Sequence, residues 1–345
     1  MSFADLPNEV LEQIVPYTLP EGFEGLALTC KLLYTLCTPY LARYNKLRFF
    51  FHDFEYYKAH VKGKSPLQTL AEFPYSMGSA YNLLEQITVE PIVARYVQNA
   101  NFDFDSCSTR KKNRNLVTDD SRIEDIAELL SSSPYLKEAG LDWRSYHEEI
   151  QNDLNDAKYS QHAAAFVLTL LPNLKTFQLP KYWRSLDATD RLIGAVTKRA
   201  RQAPLSLENP PSMAQVTKFR SSSFQKIKRK PALDRCVNRF QLDWAIPFLS
   251  LPQVQSFCGT INIEGLGNSV TRYPHEASGM ALEEIDLQCV YIDWISMANF
   301  LKHTPNLKTL RYSSGTKVMR SVYDWDLCRF LEAVAEEVGS NLREL

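Results

Sequence analysis

Residues 172–179 read PNLKTFQL and residues 305–312 read PNLKTLRY. Each opens with a Pro-Asn turn, in which proline stops a preceding helix and asparagine tolerates the turn conformation. Each then sets apolar residues in an L-x-x-L-x-L frame: Leu174, Phe177 and Leu179 in the first, Leu307, Leu310 and Tyr312 in the second. Looser copies recur around Phe102 (YVQNANFDF), at 134–141 (PYLKEAGL), at 252–261 (PQVQSFCGTI), at 281–287 (ALEEIDL) and at 341–345 (NLREL). The anchors Leu136, Leu174, Val254, Leu282, Leu307 and Leu342 lie from 25 to 80 residues apart, and Val216 in AQVTKF is positioned to halve the widest gap. Every copy is read as a short strand.

Amphipathic helices are expected between these strands, at 121–130, 162–171, 293–301 and 325–338; in the first, Ile123, Ile126, Ala127 and Leu130 share one face. A helix–turn–strand unit that cannot bury its own apolar face must stack on its neighbours. The pattern therefore predicts an open α/β solenoid that resembles leucine-rich repeats, with periods irregular and longer than their usual length of about 20–29 residues. Between 181 and 250 the regularity lapses, and a loop insertion near 204–232 is expected, where PLSLENPPSMAQ is proline-rich and KFRSSSFQKIKRK is basic. KIKRK at 226–230 and the cluster Arg110-Lys111-Lys112-Asn113-Arg114 read as solvated loops. The chain closes on NLREL, half of another strand; such an ending predicts either a truncated chain or a strand sealed by something outside it.

Upstream, residues 46–95 read as a junction, with Phe49, Phe50, Phe51, Phe54, Tyr56 and Tyr57 as a packed aromatic run near a strand. Residues 1–45 read as three short helices. Pro7 suits a first helical position and Glu9 the first turn, while Val10, Leu11 and Ile14 form a stripe that ends or bends near Val15 because Pro16 removes a hydrogen bond. A second helix carries Phe23, Leu26, Ala27, Cys30, Leu33 and Tyr34, with Leu28, Leu32 and Leu36 thickening its stripe. Thr38-Pro39 then reads as the start of a third helix through Tyr44. So small a unit is expected to lean on a partner or on the next domain.

Leu6-Pro7-x-Glu9-Val10-Leu11-x-x-Ile14 is similar to the opening of F-box motifs, and Leu26-Ala27-Leu28-Thr29-Cys30-Lys31-x-Leu33-Tyr34 resembles their second half, especially in fungal-type members. Pro16 departs from that pattern, as does Leu33-Tyr34 where many members carry Trp. The resemblance implies a module that binds the Skp adaptor of a cullin-RING ubiquitin ligase, with Leu6, Pro7, Val10, Ile14, Leu26, Leu28 and Cys30 supplying or supporting the adaptor-facing surface. The expected whole is α/β: an F-box-like helical module over 1–45, a junction over 46–95 and an irregular leucine-rich-repeat-like solenoid over 96–345.

Composition sets the remaining bounds. With 39 Lys+Arg against 40 Asp+Glu there is no global electrostatic case for nucleic acid or an anionic membrane. No apolar run reaches the roughly 18 residues of a membrane span, and the N-terminus lacks the features of a secretory signal, so cytoplasm or nucleus is expected. The 7 cysteines, without a C-x-x-C pair, read as reduced thiols, most of them small buried hydrophobes.

Phosphate-loop, nucleophile-elbow and H-E-x-x-H patterns are absent, and Gly265-Leu266-Gly267 is no phosphate loop. The 6 histidines lack metal-ligand spacing and read as exposed or helix-end residues, His162 and His303 among them. Asp103 and Asp105 alternate around Phe104, which places both on the solvent face of a strand, and Asp286 reads likewise. No residue is assigned a catalytic, metal-binding or cofactor-binding role. The function expected is a substrate-recognition subunit of an SCF-type ligase that binds a target protein through the repeats; a non-ligase scaffold whose N-terminal helices only cap the solenoid is the alternative.

Overall fold

The computed structural model describes residues 6–55, 80–103, 120–157, 159–180, 183–203, 210–221, 240–263, 281–292, 294–314 and 327–345. Seven strands form one all-parallel sheet whose spatial order is the chain order: β1 (Asp53–Glu55), β2 (Asn99–Asn101), β3 (Thr176–Gln178), β4 (Lys218–Arg220), β5 (Ser256–Ile263), β6 (Glu284–Ile292) and β7 (Thr309–Ser314). Parallel neighbours need long crossovers, and crossovers of one hand stepping in one direction all fall on one side of the sheet.

Register makes that side apolar. Phe54, Ala100, Phe177, Phe219, Phe257, Ile285 and Leu310 stand directly beside one another across the strands, all at most 2% exposed. Three residues upstream, Phe51, Val97, Leu174, Val216, Val254, Leu282 and Leu307 form a second buried row at the turns. Helix α11 (Leu242–Leu249) lies on this face, with the Phe248 ring 5.3 Å from Phe177 and 5.0 Å from Phe219. Likewise α13 (Leu327–Val338) brings Phe330 to 5.4 Å from Tyr312. Each such phenylalanine contributes about 1.5–3 kcal/mol of burial.

The coil repeat is also written in the backbone. The carbonyls of His52, Gln98, Lys175, Thr217, Gln255, Glu283 and Lys308 each accept two consecutive N–H groups from the next coil, from Gln98 and Asn99 at the first step to Arg343 and Glu344 at the last. Each of these seven turn carbonyls thereby has its partners. Glu344 forms a parallel bridge to Thr309, so Leu342–Glu344 enters the frame read from NLREL.

Val216 does mark a strand, β4. Leu136 does not: it lies in α7 (Pro134–Glu138), after α6 (Asp120–Ser131). Ser133 caps α7, its hydroxyl accepting the Leu136 N–H at 3.4 Å, and Pro134 holds the first helical position, so S-S-P-Y-L starts a helix instead of a strand. Strand β2 ends before Asp103, which is 3% exposed, not on a solvent face; Asp105 falls outside the described residues. Between β3 and β5 the chain is more regular than expected, because α10 (Asp187–Gln202) buries Leu192, Ile193, Val196 and Ala200 at helical spacing. Segments 204–209 and 222–239, with KIKRK, lie outside the described residues, as do 110–114 and 265–267.

At the N-terminus, α1 (Asn8–Ile14), with Pro7 in the capping position, passes into a 3-10 turn (Val15–Thr18) at Pro16. Extended backbone at Cys30 separates α2 (Phe23–Thr29) from α3 (Lys31–Phe51). The expected third helix does not begin at Thr38-Pro39; α3 runs through Pro39, where Thr38 back-bonds to the Tyr34 carbonyl at 2.9 Å. Helix α3 therefore carries the aromatic run to β1 and crosses residue 45 unbroken. No helix among the described residues is long and apolar enough to cross a membrane.

Candidate functional site

Two surfaces are built by this arrangement. The first is the outer side of the N-terminal helices. Leu11, Val15, Phe23, Ala27, Leu33 and Cys37 turn inward. On α2 the 3.6-residue period turns Leu28 away from the buried pair Phe23 and Ala27, and it is 76% exposed. Pro7, Val10 and Cys30 are exposed; Leu6, Ile14 and Leu26 are half-buried, Leu26 packing at the margin of the core. Helices α1 and α2 both pack on α3, which gathers these residues on one three-helix unit. Leu28 and Leu32 do not thicken an inward stripe: the break at Cys30 divides the helix that would have aligned them, and both face outward, with Tyr17 and Tyr34. Beside α1, Glu9, Glu12, Gln13, Pro16, Tyr17 and Tyr40 line an open cleft of about 600 Å³.

This unit is fixed to the sheet. Phe23 packs at a tilt against Tyr44 (4.7 Å between centroids) and Tyr44 against Tyr96 (5.9 Å), the last from α5 (Val93–Tyr96), which follows α4 (Ala80–Val89). Burial pushes the Tyr96 phenol up to about 12. The Arg95 guanidinium grips Glu21 at 3.1 and 2.6 Å, Asn173 donates to the Arg95 carbonyl at 2.7 Å, and Arg43 pairs with Glu90 at 2.6 Å. Exposed pairs are worth little singly, so the continuous aromatic core sets the orientation and the pairs trim it.

The second surface is the sheet face opposite the phenylalanines. Alternation puts Asp53, Asn99, Thr176, Lys218, Ser256, Glu284 and Thr309 in one row there and Glu55, Asn101, Gln178, Arg220, Cys258, Asp286 and Arg311 in another. All but Gln178 are half-buried or exposed. Both ends are cross-linked: Thr176 donates to Asn99, whose amide donates to Asp53 at 2.6 Å, and Ser256 donates to Glu284 at 3.1 Å while Arg311 bridges Glu284 and Glu344.

One buried cluster has the residue types of a hydrolase. Asp153, on α8 (Trp143–Ala157), accepts hydrogen bonds through Oδ2 from the Ser160 hydroxyl at 2.9 Å and from the His162 backbone N–H at 3.3 Å, with His162 Nδ1 at 2.8 Å. His162 opens α9 (Gln161–Leu168) and is 5% exposed, not at an exposed helix end as its sequence context implies. Serine bonds the carboxylate instead of the imidazole, so no base sits on a nucleophile and the cluster serves as a helix cap. Burial pushes the Asp153 carboxyl up, but the hydrogen bonds and charge of His162, with Ser160, outweigh it and hold the value below the usual carboxylate range. A lowered carboxylate adds stability above its unfolded value of about 3.9, and that stability is lost as pH falls through the folded value. Asp153→Asn is expected to cost about 1–3 kcal/mol at pH 6, with the deficit shrinking below about pH 4. Urea unfolding at both pH values checks this; an unchanged deficit would show that charge is not what the cap uses.

Cys37 is buried and Cys258 half-buried, while Cys30 and Cys328 are exposed, against the expectation that most cysteines are small buried hydrophobes. No group of three potential metal ligands occurs among the described residues. Compared with known proteins, the chain matches no family model and no curated protein.

Proposed function

We propose that the chain is the substrate-recognition subunit of an SCF-type ubiquitin ligase: an F-box-like unit at the N-terminus holds the Skp adaptor, and a leucine-rich-repeat-like solenoid presents a target protein. The observation that carries this reading is the outward set on the N-terminal helices. Pro7, Val10, Leu28 and Cys30 are exposed, Leu28 at 76% and Val10 at 39%, although Leu28 stands in a helix whose Phe23 and Ala27 join the core. These are positions that the family resemblance assigns to the adaptor. The contribution to ubiquitin transfer is geometric: substrate and charged enzyme held in one complex gain effective concentration, and no acid, base or nucleophile is required of this chain. A core continuous from Phe23 to Tyr96 supports a fixed distance between the two binding surfaces.

The same continuity favours a second reading, a scaffold whose helices cap the apolar end of the sheet. Capping accounts for the inward residues and leaves the outward ones without a role. Capture of the purified chain on immobilised Skp adaptor separates the two. Leu28→Asp, at a site that disturbs no packing, is expected to reduce capture at least about tenfold, since it places a charge in an apolar contact, while leaving the unfolding midpoint unchanged. Failure of the wild-type chain to be captured, or equal capture of the variant, would remove the ligase reading.

A further inference from the structure

Within the open face of the sheet, β4 differs from its neighbours. Lys218 and Arg220 lie two residues apart on the same side, with Arg220 exposed and Lys218 half-buried. Their cross-strand neighbours Thr176, Gln178, Ser256 and Cys258 carry no charge. Neither cation has an ion-pair partner among the described residues. The Cys258 thiol is hydrogen-bonded to Arg220, but burial pushes its pKa up, so it supplies no counter-charge. Of the carboxylates on this face, Asp53 is engaged with Asn99 and His52 and Glu284 with Ser256 and Arg311, while Glu55 stands three strands from Arg220. Asp286 stands two strands away, about 9–10 Å by the usual strand spacing.

We propose that β4 is where the open face receives its protein partner, and that the partner presents an extended acidic segment with Asp or Glu at alternate positions. Side chains two apart on a strand repeat at about 6.6–6.8 Å, and an extended ligand has the same repeat, so two carboxylates align with Lys218 and Arg220 without distortion on either side. The uncharged flanks supply hydrogen-bonding groups for the residues between and no repulsion. This rests on reading the sheet as the target-binding surface and is independent of adaptor docking.

The test uses the full chain and a dye-labelled peptide of alternating glutamate and threonine, followed by fluorescence anisotropy. Binding that weakens with salt is expected, with an affinity loss of about tenfold or more in Lys218→Gln/Arg220→Gln at an unchanged unfolding midpoint. The reversed pair Lys218→Glu/Arg220→Glu should reject this peptide and accept one of alternating lysine and threonine. Equal affinity of the Gln pair, equal binding of a glutamine–threonine peptide, or binding of a phosphoserine–threonine peptide alone would overturn the proposal. Adaptor capture is measured in parallel. Peptide binding without adaptor capture would remove the ligase reading and sustain this one; adaptor capture without peptide binding would do the reverse.

Discussion

Phe219→Ala is expected to destabilise the chain by about 3–5 kcal/mol, the range for removing a fully buried aromatic ring. Phe219 is 0% exposed and stands mid-row. Its ring is stacked on Phe257 at 5.2 Å with planes 5° apart, and Phe177 and Phe248 lie at 4.9 and 5.0 Å. The neighbours cannot close over the void, because β3 and β5 are tied to β4 through the paired hydrogen bonds at Lys175 and Thr217. Since each coil contacts chiefly its neighbours, a central cavity also weakens the coupling between the two halves of the sheet. Guanidinium unfolding is therefore expected to show a lower midpoint and a broader transition. Phe49→Ala, at a ring 53% exposed, serves as the control and should change stability by no more than about 0.5 kcal/mol. A Phe219→Ala loss below about 1.5 kcal/mol would mean that the phenylalanine row is not a tightly packed core.

Gly259→Ala should be of comparable size, about 2–5 kcal/mol, from two separable causes. The backbone at Gly259 has φ +147°, which residues with a side chain rarely adopt. A Cβ there would also come within 2.0 Å of the Ser221 hydroxyl. Ser221 cannot simply rotate away, since its hydroxyl donates to the Thr260 carbonyl at 3.1 Å inside the sheet. In the frame of the repeat, Ser221 and Gly259 occupy the third apolar position of consecutive coils, where Phe177 is followed by Leu179 and Ile285 by Leu287. The two small residues make one fitted pair. Ser221→Gly is expected to recover part of the loss in the double variant, by removing the clash but not the backbone strain. A double variant no more stable than Gly259→Ala alone would assign the whole effect to the backbone.

Much of this fold was legible in the chain. Leu174, Val216, Val254, Leu282 and Leu307 each stand three residues before a buried central residue; the apolar anchor marks all five strands, and a turn proline (Pro172, Pro252, Pro305) marks three of them. What misled was local ambiguity. The PYLKEAGL stretch carries the same apolar spacing as PNLKTFQL, but its Ser133-Pro134 start satisfies a helix N-terminus, and no neighbouring coil supplies the two-to-one carbonyl contact that the strands share. His162 illustrates the same limit: its own segment is an apolar helix, while its partner Asp153 lies on another helix.

The residues proposed for adaptor docking divide in the same way. Leu6, Pro7, Val10, Ile14, Leu26, Leu28 and Cys30 were chosen by likeness of pattern, and apolarity alone marks a residue as fit for either a core or a contact. Only the break at Cys30 and the packing of α2 on α3 turn Ala27 inward and Leu28 outward. By itself the sequence determined an α/β chain of short strands with anchored turns, because periodicity and turn chemistry act over a few neighbouring residues. Tertiary structure decided which apolar segments become strands, how α3 joins the N-terminal helices to β1, and which side chains of β4 stand uncompensated. Those outcomes depend on hydrogen bonds, burial and charges contributed by coils dozens of residues away, which no local pattern contains.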